Sequence, residues 1–163
     1  MNFASRAGLA ALLVGVLAAC SKSDSLPTPP AGAPATRHEE KPPHGGTAVA
    51  FGNGVYHLEL VLDATAGKLS AYVLDDEMEE FVRIKQPSFE AVATIDGRRE
   101  TLVFHAVADS ATGETVGATS LFEASAGWLK TTKSFDAVLT KLEIRDTTFA
   151  AVAFNFPKGN ALD

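Results

Sequence analysis

A single cysteine among 163 residues rules out an internal disulfide framework and a thiolate metal cluster. Basic residues are also in short supply, with 14 Lys and Arg against 20 Asp and Glu, a formal charge of −6 at pH 7. Without a basic block the chain cannot neutralise a run of phosphates, which argues against nucleic acid as a partner and against electrostatic attachment to anionic lipid. The sequence has no phosphate loop, dinucleotide glycine pattern, G-x-S-x-G elbow or H-E-x-x-H pair. No enzyme activity and no organic cofactor are therefore expected. No internal repeat of useful length is present, and the one long apolar run, Ala7 to Ala19, is too short to cross a bilayer as a helix.

That run is nonetheless the most telling segment of the chain. It follows a lone Arg6 and ends at Cys20, the arrangement of a signal peptide's charged and apolar regions. Leu17-Ala18-Ala19-Cys20 resembles the lipobox of bacterial lipoproteins. The resemblance implies diacylglyceryl transfer to Cys20, cleavage before it and acylation of the new amino terminus. An ordinary secretory signal ending near Ala18-Ala19, with a chance cysteine after it, is the rival reading. One acyl chain gives only marginal membrane binding, whereas two or more anchor stably. Ser21 stands where the family pattern associates aspartate with inner-membrane retention, so the resemblance implies an outer membrane, facing the periplasm. Loss of the leader with its Arg6 leaves 13 basic against 20 acidic residues, a formal charge of −7.

Three regions are expected: a leader over 1–19, a lipidated Cys20 with a proline-rich tether over 20–43, and a folded domain over 44–163. The tether holds Pro27, Pro29, Pro30, Pro34, Pro42 and Pro43 among polar residues, a composition that builds no packed core and behaves as a disordered, semi-extended spacer. Beyond it the pattern is short alternating segments broken by turn residues, the mark of strands. Val55–Leu62 alternates, as does Phe89–Asp96, with Phe89, Ala91, Ala93 and Ile95 on the inward face. Asp96-Gly97 is a two-residue hairpin signal leading into Thr101–Val107. Val138, Leu142 and Ile144 are assigned to one face before a turn at Arg145-Asp146, and Thr147–Phe156 follows. Weaker strands fall at Thr47–Phe51, Lys68–Leu74 and Thr119–Ala124, with a helical turn at Trp128–Lys130. Seven or eight strands with short connections predict an all-β fold, an antiparallel, immunoglobulin-like β-sandwich, with a small closed barrel as the alternative.

His44-Gly45-Gly46, Tyr56-His57-Leu58-Glu59-Leu60-Val61-Leu62-Asp63 and Tyr72-Val73-Leu74-Asp75 together resemble a family of small exported bacterial lipoprotein domains. Similar openings occur on periplasmic adaptor subunits of heavy-metal efflux systems. The resemblance implies an envelope protein concerned with metal handling, with efflux-system components as partners.

The residues themselves carry a metal hypothesis. His57 and Glu59 are two apart in a strand, so they share a face about 6.6 Å apart along the chain, a spacing that suits two ligands on one ion. His105 is the third candidate, provided that its strand neighbours theirs. His44 is the fourth, but an extended strand would leave it roughly 16–20 Å from His57, and only a reversal at Gly45-Gly46 would bring it back. Its other expected partners are His38, Glu39 and Glu40 in the tether, or none in a plain polar loop. Imidazole and carboxylate donors point to zinc, copper or nickel rather than calcium or magnesium. The competing reading makes His57 a cross-strand hydrogen-bonding residue and Glu59 a solvated charge. Asp75–Glu80 carries five carboxylates without the loop glycine of an EF-hand and reads as a solvated turn, while Met78 within it is either packing or a soft copper(I) ligand.

Overall fold

The computed structural model describes residues 41–160. The chain divides into two units, Met1–Thr36 and Arg37–Asp163, and all the described residues belong to the second. The segment assigned above to a leader, with Cys20, His38, Glu39 and Glu40, lies outside the described residues.

Period-two alternation becomes strand wherever a turn residue can end it. Eight strands form: β1 (Thr47–Phe51), β2 (Tyr56–Asp63), β3 (Lys68–Leu74), β4 (Ser88–Ile95), β5 (Arg98–Ala106), β6 (Leu121–Ser125), β7 (Phe135–Ile144) and β8 (Thr147–Phe156). A 3-10 turn, Gly127–Lys130, sits between β6 and β7. The all-β expectation holds. Asp96 and Gly97 both have positive φ, 49° and 76°, the twist a two-residue hairpin needs to match its strands.

All eight strands pair antiparallel in one sheet, ordered β1-β2-β3-β6-β5-β4-β7-β8. Two connections, residues 75–87 and 126–134, carry the chain between strands that are not neighbours. The sheet nearly closes on itself. The segment that follows β8 meets β1: Asn160 Nδ2 donates to the Ala50 carbonyl (3.1 Å), the Ala50 N–H donates to Asn160 Oδ1 (2.7 Å), and Thr47 Oγ1 donates to the Pro157 carbonyl (3.1 Å). The Asn160 carboxamide thus stands in for a peptide unit on the edge of β1, and it satisfies backbone groups that an open edge would offer to another chain.

Inside the curl lies one apolar cluster, with Leu58, Leu60, Phe89, Phe104, Phe122 and Leu139 among its buried members. Phe89 stacks on Phe104 at 4.8 Å and Phe135 on Phe156 at 5.3 Å, offset pairs that add to area burial. Val138 departs from expectation: it is 40% exposed, and Ala137 and Leu139 point inward instead. Thr140 and Lys141 are exposed in succession, so the alternation of β7 skips one residue before Leu142 and Ile144. β8 skips at the same level, where Ala151 has φ 53°, and pairing resumes without a change of register. Both strands kink together, which keeps the ladder while re-aiming the side chains.

Candidate functional site

β2 places Leu58 and Leu60 inward and His57 and Glu59 outward, as alternation requires, yet both outward residues are buried, at 6% and 0% exposure. What covers Glu59 is the segment before β1. Gly45, at φ 67°, closes a turn in which its N–H bonds the Pro42 carbonyl, and the chain folds back across β2 instead of extending away. The separation expected for an extended strand is therefore not the one observed. Glu59 Oε1 accepts from the His44 and Gly46 N–H groups at 2.8 and 2.9 Å, and Glu59 Oε2 lies 2.7 Å from His44 Nδ1. Gly46 lies against the strand so closely that a Cβ there would fall 2.5 Å from the Leu60 carbonyl oxygen.

A carboxylate only accepts, so Nδ1 of His44 carries a hydrogen and donates it to Glu59 Oε2. The imidazole stacks on Tyr72 at 4.1 Å and is flanked by Phe81 at 5.9 Å. Tyr72 lies opposite Glu59 in the β2–β3 ladder. Burial, together with the charges of Glu123 and Glu59, raises its phenol above the ordinary value. Tyr72 and Phe81 were not among the sequence candidates. The hairpin register from Asp63–Lys68 back to Glu59–Tyr72 was the signal available for the first of them.

His57 is held differently. Its Nδ1 lies 3.1 Å from the Asp75 carbonyl oxygen, and a carbonyl only accepts, so Nδ1 bears the hydrogen here too. Its ring borders a cleft of about 770 Å³ lined in part by Ala50, Asn53, Met78 and Asn160. Asp75–Glu80 is a turn with its charges mostly solvated: Asp75 Oδ1 accepts from the N–H groups of Glu79 (3.0 Å) and Glu80 (3.1 Å). Met78 is the exception, at 5% exposure.

His105 does not join this region. It is exposed on β5 opposite Glu123 of β6, and β6 and β3 both intervene before β2. Three strand spacings amount to roughly 14 Å, so the condition that its strand neighbour that of His57 is not met. Glu59, for its part, spends both oxygens on the His44 segment. Among the described residues, no three His, Cys, Asp or Glu side chains gather in a group able to hold an ion.

A second buried carboxylate, Glu114, lies outside this site. Burial pushes its carboxyl up, but hydrogen bonds from Ser120 and Thr112 and the charge of Arg83 outweigh that and hold it below its ordinary value. Its partners are all structural.

No family model, curated protein or solved structure matches the chain.

Proposed function

We propose that the chain is a non-catalytic accessory of the bacterial cell envelope, anchored by lipid at Cys20 to the outer membrane, whose β domain binds a transition-metal ion. The observation that carries the metal reading is the state of His57: a buried imidazole with Nδ1–H fixed on a backbone carbonyl and its ring bordering an open cleft. A ligating histidine typically gives its second ring nitrogen to such an acceptor, which fixes the tautomer and raises the basicity of the donor nitrogen. His44 follows the same pattern with a carboxylate in place of the carbonyl. Zinc, copper or nickel suits these donors, and efflux-system components are the partners that the sequence resemblance suggests.

Native mass spectrometry of untagged full-length protein, titrated with each ion at neutral pH, tests this reading. Binding that weakens in a His44→Ala/His57→Ala variant supports it, and absence of binding overturns it. The anchor is tested separately by labelling with a radioactive fatty acid, which Cys20→Ala should abolish.

A second reading is a metal-free docking module. It is favoured by the exposure of Phe81 (48%) beside His44 and Tyr72, since aromatic residues are enriched at protein interfaces. A chain that binds none of the ions but loses an envelope partner on Phe81→Ala would establish it.

A further inference from the structure

The Asp75 carbonyl oxygen is shared. It lies 3.1 Å from His57 Nδ1 and also accepts from the Met78 N–H at 3.4 Å. One oxygen thus ties the imidazole of β2 to the backbone of the one methionine in the 75–80 turn, and both residues line the same cleft.

Met78 is unusual in two further respects. Its φ of 55° is left-handed, a conformation that glycine or asparagine adopts more easily than a residue with a long side chain. Its side chain is buried, yet it is no member of the apolar cluster that fills the curl of the sheet. The turn that holds it is braced, since the Asp75 N–H bonds the Glu80 carbonyl at 3.0 Å and the Asp75 carboxylate takes two further N–H groups.

We propose that His57 Nε2 and Met78 Sδ are the donors of a site for a monovalent, thiophilic ion, copper(I). A thioether is a poor ligand for zinc or nickel but a good one for copper(I), and neutral imidazole completes a soft donor pair. Asp76 and Glu77, exposed on the rim of the cleft, supply negative charge that draws a cation in. This assignment rests on the metal-binding reading above and narrows it to one ion class and one donor pair. Glu59, His44 and His105 have no part in it.

Silver(I), a redox-inert probe for copper(I), tests the site in full-length protein carrying Cys20→Ala, which removes the one competing thiol. The expected result is one silver ion per chain, with a shift of the Met78 methyl resonance on binding. Met78→Leu, of similar volume, should abolish silver binding while leaving any zinc binding intact. Silver binding that leaves the Met78 methyl unmoved, or that survives Met78→Leu, overturns the site. Zinc binding without silver binding overturns the site but keeps the broader metal reading, and a chain that binds neither overturns both. The methyl shift is read on the protein with Met78 in place, so a misfolded variant does not mask the result.

Discussion

His44 and Glu59, fifteen residues apart, are joined twice: the His44 backbone N–H meets one carboxylate oxygen and its ring nitrogen meets the other, at 2.8 and 2.7 Å. The carboxylate is fully buried, and the oxygen that accepts from the His44 backbone also accepts from the Gly46 N–H. A charge out of water is tolerated here because every donor that faces it is an N–H at hydrogen-bond distance.

Glu59→Ala should leave the His44 and Gly46 N–H groups without their acceptor and cost about 1–3 kcal/mol for each group that stays buried. Urea unfolding measures the loss. A stability within experimental error of the unaltered protein would show that the segment before β1 detaches freely and that the latch contributes nothing.

Gly46→Ala brings a Cβ to 2.5 Å from the Leu60 carbonyl, which is backbone and cannot swing aside. Overpacking of this kind costs about 1–3 kcal/mol. The expected signature is a lowered urea midpoint together with loss of the upfield ring-current shift that His44 owes to Tyr72, read by proton NMR.

Asn160→Ala should release the edge of β1. Two hydrogen bonds to Ala50 disappear, each contributing about 0.5–1.5 kcal/mol. Hydrogen exchange at the Ala50 amide should accelerate while amides in β4 stay protected. Concentration-dependent self-association would follow if the released edge pairs with another chain.

Glu114 gives the stability a pH dependence of defined sign. Its carboxyl is held below its ordinary value of 4.5, so the folded chain binds fewer protons than the unfolded chain in that range. Stability from this residue is complete above the unfolded value and is lost as pH falls through the folded one. Chemical denaturation from pH 7 to pH 3 should show that decline, and Glu114→Gln should flatten it. An equal slope in both proteins would assign the acid sensitivity to other groups.

Most strand positions were legible before any tertiary information, because alternation and turn chemistry are local. β1, β3 and β8 match the segments assigned by pattern alone, and the Asp96-Gly97 hairpin follows from two residues whose φ must be positive. Val138 was assigned to the face of Leu142 and Ile144, yet it is exposed where they are buried. A skipped residue at Thr140–Lys141 looks like any pair of exposed polar residues until β8 is seen to kink beside it.

That His57 and Glu59 share a face of one strand follows from local alternation, since a two-residue period permits nothing else. Which residues meet them there depends on how the strands are ordered in the fold. Strand order depends on where the long connections 75–87 and 126–134 carry the chain, and no local pattern encodes that path. The same path that leaves His105 two intervening strands from β2 brings Met78 onto the carbonyl that holds His57, while a single left-handed glycine, Gly45, turns His44 back onto Glu59.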